Sequence, residues 1–332
     1  MSGIDTVTGL LSRGGLRFGE PLQAGALTVV PVFHDGETVA YRLFAEVRGS
    51  GAVEVGEVGG GSVPDLQVVN RSDQAVLLVE GEVLGGLCQT PTLNTTVLVP
   101  AHAVVTVPVA CVEAGRWGAA RALDREVFHA SPRVRHTKNA GIEARAAAGG
   151  GFYADQSLFW AAVDEDLALH GVSSPTRSHA EAHRWRAGDI ESVVRRLRPV
   201  AGQRGVLALV GGRPAALDLF DRAETLSALW HSLVGSYAAD ALLAATAADA
   251  GQVARAMAAV GELPAGRAGV HAAVGEGEVV LISARHAVVS ALVVGTAVVH
   301  LAAVWSPAGT EARPEVRFSR PSRRAGWFGG TR

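Results

Sequence analysis

Strand-like runs stand at both ends of this chain and helical runs stand between them. That arrangement constrains the fold more than any single motif, because strands at the two ends must find partners across everything in the middle. From Leu27 to Val112 the candidates are LTVVPVF, VAYRLFAEVR, AVEVGEV, LQVVN, AVLLVEGEVL, TTVLVPA and VVTVPVACV. They are short, β-branched and punctuated by Gly, Asp, Asn or Pro. Near the other end, AGVHAAV, EVVLISA and the run from Val288 to Trp305 return to the same texture. Gly295-Thr296 divides that last run into a hairpin, and His300 suits lipid poorly, so a membrane span is not expected. The reading is an α+β fold, with a β-rich N-terminal half and C-terminal strands in mixed or antiparallel sheets around a helical middle section.

The middle carries the 3.6-residue period. ALDREVFHA, ADQSLFWAAVDEDLALHG and HAEAHRWRAGDIESVVRRLRPV read as helices, with Asp155 as an N-cap and Gly171 as a C-cap of the second. Between the first two lies ASPRVRHTKNAGIEARAAAGGG, basic and then Gly-rich, which reads as a mobile surface excursion. GVLALV, Gly211-Gly212 and PAALDLF form a hairpin. Helices follow over Ala223–Ala248 and GQVARAMAAV. The expected organisation is a flexible N-terminus over 1–20 and a single integrated domain over 21–305. That domain is β-rich over 21–117, mainly helical over 118–200 and mixed α/β over 201–305. Residues 306–332, rich in Pro, Gly and Arg, read as a disordered tail.

Composition removes several function classes. A chain of 332 residues with 48% hydrophobic residues can bury a sizeable core, and a net charge of -2 supplies no global field for nucleic acid. Cys88 and Cys111 cannot build a secreted disulfide framework. The N-terminus has no basic start followed by an apolar run, so a cytoplasmic location is expected. HExxH, GxGxxG after a strand, GxxxxGK[ST] and GxSxG are all missing from the sequence.

Chemistry concentrates in four places. Glu80-Gly81-Glu82 ends an apolar strand, and strand periodicity puts both carboxylates on one face. So placed, they hold a divalent cation such as Mg²⁺ or Mn²⁺, or act as general acid and base, unless they are a solvated acidic turn. Gln89, Thr90, Thr92, Asn94, Thr95 and Thr96 form a neutral hydrogen-bonding run that fits a ribose or a base edge and equally fits a β-edge. In CVEAGRW, Glu113 and Arg116 either pair with each other or leave Arg116 for a phosphate and Trp117 for stacking. In LDLFD, Asp221 reads as a helix N-cap, whereas Asp218 inside an apolar run needs a partner. Arg133, Arg135, His136, Lys138 and Arg145 form a basic patch of the kind common on exposed loops.

EGEVLGG with Gln89, then LNTTVLVPA and VPVACVEAGRW, resembles the family of the ARG-and-rhodanese-phosphatase-associated protein domain, where ARG stands for ADP-ribosylglycohydrolase. Ala130-Ser131, Gln156 with Trp160, GVSSPT, LDLF, LWHSLVGSYAADAL and VVHLAAV extend the likeness from about Leu27 to Val304. Cys88, Thr90 and Pro91 depart from the basic or amide-rich run around Gln89, which weakens a phosphate grip there. The resemblance brings no settled reaction. It implies NAD and ADP-ribose metabolism, a nucleotide-like ligand and association with ADP-ribosylglycohydrolase-type enzymes. On that reading Glu80, Glu82 and Asp218 are the catalytic set, Glu80 and Glu82 the metal ligands, and Gln89, Asn94, Thr95, Glu113, Arg116 and Trp117 hold the ligand. The alternative is a non-enzymatic scaffold or accessory protein in which the same residues are structural.

Overall fold

The structure is a computed structural model that describes residues 2–12, 14–58, 64–85, 87, 90–115 and 128–307. Where a flexible N-terminus is expected, the chain opens with helix α1 (Gly3–Leu11). Ser2 and Asp5 cap it reciprocally, and Val7 and Leu11 are buried. Strands β1 (Arg17–Phe18), β2 (Leu22–Ala24) and β3 (Leu27–Phe33) follow. VAYRLFAEVR is not one strand: it splits into β4 (Arg42–Leu43) and a single helical turn, α2 (Phe44–Val47), which buries Phe44 and Val47. Next come β5 (Val53–Glu57), β6 (Asp65–Asn70), β7 (Val76–Leu78), β8 (Glu82–Val83), β9 (Pro91–Leu93), β10 (Val97–Val99) and β11 (Val104–Cys111). AVLLVEGEVL is therefore two strands, broken at Glu80-Gly81.

Of the helix expected over ALDREVFHA, the described end is a strand, β12 (Phe128–His129). The expected surface excursion is helix α3 (Pro132–Ala147), and it is a central element of the fold. Pro132 takes the first helical position, where its missing N–H costs nothing. Its buried residues include Val134, Arg135, Lys138, Asn139, Ile142 and Ala146, a true helical face that happens to carry charge. Helices α4 (Gln156–Leu169), α5 (His179–Trp185) and α6 (Ala187–Val194) complete the helical middle. Asp155 caps α4 by accepting from Ser157 and Leu158 N–H, as the sequence suggests, while the C-cap is His170 and Gly171 takes φ +66° just beyond it. The hairpin β13 (Gly205–Val210) and β14 (Arg213–Phe220), helices α7 (Ala223–Ala241) and α8 (Ala250–Glu262), and strands β15 (Arg267–Ala272), β16 (Glu278–Ser283), β17 (Ala287–Val294) and β18 (Ala297–Trp305) finish the described chain.

The terminal strands meet. A nine-stranded antiparallel sheet runs β1-β3-β13-β14-β18-β17-β16-β15, with β2 also on β3, so strands from both ends share one sheet. Alternation along β14 sends Leu217 and Leu219 to one face, against Val7 and Leu11 of α1 and Val253, Ala256 and Val260 of α8. Ala216 and Phe220 go to the other face, against α7, α6 and Ile142 of α3. Leu77, Val79 and Leu98 join that second core, so the three-stranded sheet β10-β7-β4 packs into it too. A six-stranded antiparallel sheet, β12-β8-β9-β11-β6-β5, lies beyond. The long apolar run from Val288 is the β17–β18 hairpin, and among the described residues no helix is long and apolar enough to cross a membrane.

Candidate functional site

Glu80 is where the sequence places chemistry, and its surroundings begin with a turn. Gly81 sits at φ +86°, and a Cβ there would stand 3.0 Å from Arg135 Nε and 3.1 Å from Arg135 Cδ. Glycine is needed twice over, for the left-handed backbone and for the close approach of the helix α3 side chain. The turn drives the Glu80 carboxylate under α3. Its Oε2 accepts from Arg135 Nη2 at 2.6 Å and Nε at 3.1 Å, and its Oε1 accepts from Lys138 Nζ at 2.6 Å. Arg135 continues to Asp218 on β14, with Nη1 to Oδ2 at 3.1 Å and Nη2 to Oδ1 at 2.8 Å. Tyr237 of α7 donates its hydroxyl to Asp218 Oδ2. His300 of β18 stands 3.4 Å from Asp218 Oδ1 through Nε2 and 2.6 Å from Thr96 Oγ1 through Nδ1. Thr96 Oγ1 accepts the Glu80 N–H at 3.0 Å, so the chain of contacts closes on itself.

Two carboxylates and two cations cancel in formal charge, and all four side chains are 0–1% exposed. Burial pushes the Glu80 carboxyl up, but the Arg135 and Lys138 cations outweigh it and hold it at about 2. The same contest leaves Asp218 far below the usual carboxylate range. Burial pulls Lys138 down against the pull of Glu80, and Tyr237 is pushed well up by burial and by Asp218. Lys138 Nζ also donates to the Leu93 carbonyl at 2.6 Å. Every carboxylate oxygen here is taken by a protein donor. The centre binds α3, α7, the large sheet and the β7–β8 turn together, and it offers no free ligand position.

The other sequence-named residues part from it. Glu82 turns away: its Oε2 accepts the Val79 N–H at 2.9 Å, and burial, opposed by that hydrogen bond and by Arg48, raises its carboxyl to about 7. The two carboxylates therefore do not share a cation, because the left-handed turn at Gly81 breaks the strand period that would put them on one face. Among the described residues no group of three His, Cys, Asp or Glu side chains is arranged to hold a metal ion. Asn94 donates to the Phe152 carbonyl at 3.0 Å, and Thr95 is buried beside it. Glu113 accepts from Thr90 Oγ1 at 2.6 Å and bridges to Ser178 through its backbone. Asp221 does not cap α7: it accepts from Val39 N–H at 2.8 Å and Tyr41 OH at 2.5 Å, and Arg222 is the N-cap residue. Cys111 is a buried free thiol pushed up by burial. Cys88, Gln89, Arg116 and Trp117 lie outside the described residues.

A second polar cluster, unmarked by the sequence reading, surrounds the start of α3. Ser131 and Arg133 come from that start, Asp166 and His170 from the end of α4, Ser178, His179 and His183 from the α5 region, and Asp240 from the end of α7. His179 Nδ1 stands 3.0 Å from Asp166 Oδ2, and His170 Nε2 stands 3.8 Å from Asp166 Oδ1. The Ser131 N–H approaches His179 Nε2 at 3.4 Å, and the Arg133 N–H donates to Asp240 Oδ2 at 3.0 Å. Much hydrogen-bonding capacity is left over. Asp166 is paired with His179, and Asp240 also takes a side-chain hydrogen bond from Ser131, whereas Ser178 Oγ, His170 Nδ1, His183 Nε2 and Arg133 Nε are buried with no hydrogen-bond partner in the protein. That is the opposite of the Glu80 centre, and buried polar atoms in folded proteins are normally paired.

The two acids of this cluster differ. Burial pushes Asp166 up, but His179, His170 and Arg133 outweigh it and hold the carboxyl below its ordinary value. Asp240 is raised to about 6, by burial and then by the negative charge of Asp166. His183 is pulled down to about 3 by burial and by His179. One sequence signal could have found this site: Asp166 and His170 fall one turn apart on the face of α4 that also carries Phe159, Val163 and Leu167. An acid and an imidazole on an apolar helix face need a reason.

A cleft of about 500 Å³ between α1 and α8, lined by Leu11, Leu16, Phe18, Met257 and Val260, shares no residue with either centre. No curated protein sequence and no solved structure is significantly similar to this chain. A family model does match, over residues 15–304, and by that match the chain belongs to the family of the ARG and Rhodanese-Phosphatase-superfamily-associated Protein domain.

Proposed function

We propose that this chain is a cytoplasmic protein of NAD and ADP-ribose metabolism that binds or processes an ADP-ribose-type nucleotide, its reaction unknown, with the sugar seated against the polar cluster at the start of α3. The observation that carries the reading is a buried polar cluster in which Ser178 Oγ, His170 Nδ1, His183 Nε2 and Arg133 Nε have no hydrogen-bond partner in the protein, beside the paired acids Asp166 and Asp240. Their chemistry selects the ligand. Two carboxylates repel an anion, and no three-ligand metal arrangement is present among the described residues. Acceptors on Asp166 and Asp240, interleaved with hydroxyls and imidazoles, match a neutral ligand rich in hydroxyl groups, of which ribose is one. The description of the family, with its link to ADP-ribosylglycohydrolases, supports ribose in the form of a nucleotide.

Titration calorimetry and thermal shift with ADP-ribose, NAD and ribose 5-phosphate test the proposal. Saturable binding of ADP-ribose that is weakened tenfold or more in Ser131→Ala supports it, and no binding of any of the three at millimolar concentration refutes it.

The accessory reading has its own observation. Trp185 is 73% exposed on α5, between Arg184 and Arg186, and Trp and Arg dominate the energetics of protein interfaces. A purified ADP-ribosylglycohydrolase-type enzyme that binds this chain, and loses that binding with Trp185→Ala, is the outcome this reading requires.

A further inference from the structure

We infer that the outer face of the α5–α6 corner, centred on Trp185, docks an acidic protein surface that carries an apolar recess for the indole. The inference rests on the accessory reading and adds the chemistry of the partner. Its starting point is how the two helices divide their side chains. In α6, Ile190 and Val194 are buried four residues apart, and Leu197 just beyond continues the stripe. That stripe lies on α7: Trp230 Nε1 donates to the Leu197 carbonyl at 3.1 Å, and all three side chains belong to the core around Leu229 and Leu233. In α5 the buried residues are His179, Ala180 and Ala182. The solvent side is different. Arg184 and Trp185 are exposed on α5, Arg195 is exposed at the end of α6, and Arg196 and Arg198 are exposed just past it. Arg186 is the C-cap of the first helix and the N-cap of the second, so the two outer faces adjoin. Helix α6 has eight residues. At about 1.5 Å of rise per residue it spans about 12 Å, so this set fits within the footprint of one ordinary interface.

The charges on this face do not cancel. Residues 184–198 hold five arginines and two acids, a net of +3 in a chain whose total is -2. The two acids are already taken. Asp189 accepts from Arg186 Nη1 at 3.2 Å, and Glu191 accepts from Arg195 Nε at 2.5 Å, with His231 Nε2 at 2.7 Å from its other oxygen. Arg184, Arg196 and Arg198 carry the excess, and among the described residues none of them has an ion-pair partner.

Trp185 is the most exposed large hydrophobic side chain among the described residues. A bare indole beside unpaired guanidinium groups is the composition of an interface centre, where Trp and Arg carry most of the binding energy. A guanidinium pairs with a carboxylate through two parallel hydrogen bonds, which select orientation as well as sign. The complement of this face is therefore a set of carboxylates around an apolar recess. Nucleic acid also offers anions and rings to stack on, but it is read by a broad positive field, and a total charge of -2 supplies none beyond the patch. A protein face needs only the local charge. The family description, which links the domain to ADP-ribosylglycohydrolases and rhodanese-phosphatases, supports a protein partner.

The experiment is calorimetry of the full chain with a purified ADP-ribosylglycohydrolase-type enzyme at about 50 and about 300 mM NaCl, with a single-stranded DNA of about 20 nucleotides as the rival probe. The expected result is saturable binding of the enzyme. Trp185→Ala and the charge reversal Arg184→Glu/Arg196→Glu each weaken it about tenfold or more, and the higher salt weakens it about fivefold or more. Enzyme binding that Trp185→Ala abolishes, but that neither salt nor charge reversal moves, overturns the acidic partner and leaves the accessory reading standing. No binding of the enzyme, or binding unmoved by Trp185→Ala, overturns both. Tighter binding of the DNA than of the enzyme, lost in the same variants, overturns the protein partner. Should the charge reversal fail to fold, Arg184→Gln/Arg196→Gln and the salt series decide, and no effect of either overturns the inference.

Discussion

Glu80 and Glu82 are separated by one glycine, yet replacing each by glutamine should move stability in opposite directions. Glu80 is held at about 2 against an ordinary 4.5. At about 1.4 kcal/mol per tenfold change, that corresponds to about 3 kcal/mol of stability. A depressed carboxyl contributes fully above its unfolded value and loses the contribution as pH falls from about 4.5 toward 2. Glu80→Gln at pH 7 leaves Arg135 and Lys138 buried with one anion fewer, and removal of one partner from a buried pair costs about 3–5 kcal/mol. Glu82 is raised to about 7. A raised carboxyl is harmless below its unfolded value and costs stability as pH climbs from about 4.5 to about 7, where the unfolded chain ionises and the folded group keeps its proton, again reaching about 3 kcal/mol above the folded value. Glutamine at position 82 removes that cost and can still accept the Val79 N–H. Urea unfolding, followed by circular dichroism at pH 4, 7 and 8, reads both effects. Glu80→Gln should be destabilised at pH 7 and 8. Glu82→Gln should match wild type at pH 4 and exceed it by about 1–3 kcal/mol at pH 8, since part of the ionisation cost is relieved by relaxation. Equal signs at pH 8, or both variants within about 0.5 kcal/mol of wild type, would refute the assignment of one carboxylate to a charge-paired site and the other to an uncompensated one.

Lys138 is the sole lysine of the chain and is wholly buried, so brief amine acylation of the native protein should label only the N-terminus, with a second label by mass spectrometry after unfolding. Gly81→Ala forces a Cβ into a left-handed turn and against Arg135, and should cost about 2 kcal/mol or more in chemical denaturation. Ser2→Ala removes the cap of α1 and should cost about 1 kcal/mol, with faster amide exchange confined to Gly3–Leu11 as the readout.

What was legible in the sequence follows a physical rule. The strands around Val30, Val206, Leu281 and Val299 were readable because their cores are apolar on both faces and β-branched residues announce them. Helix α3 was not, because the residues it buries include Arg135, Lys138, Asn139 and Glu143. Their spacing is helical, but hydropathy reads charge as surface, so a core helix looked like a basic loop. The same blindness hid the second polar cluster, whose Asp166 and His179 are paired only in space. Asp218 was legible, because a carboxylate in an apolar strand demands a partner, although nothing in sequence could name Arg135. Glu80 and Glu82 misled through Gly81: alternation holds only while the backbone stays extended, and one residue at φ +86° cancels it.

The two polar centres lie on one helix, and that placement explains why charge is buried at all. Replacing a buried ion pair with apolar residues of similar size is often neutral or stabilising, so the Glu80 network is a costly way to gain stability alone. Ionic contacts differ from apolar ones in fixing direction. Arg135 spans two carboxylates at 2.6–3.1 Å, and Lys138 reaches Glu80 and the Leu93 carbonyl, so α3 can neither rotate nor slide without leaving a charge unpaired. Ser131 sits one helical turn before Arg135, and Arg133 half a turn before it, on that same rigid rod. A helix pinned in rotation and register by its second turn presents the groups at its start in one orientation, against Asp240, Asp166 and His179. The closed centre is in this sense the support of the second cluster: its ionic contacts fix the helix from whose start the Ser131 and Arg133 N–H groups reach His179 and Asp240.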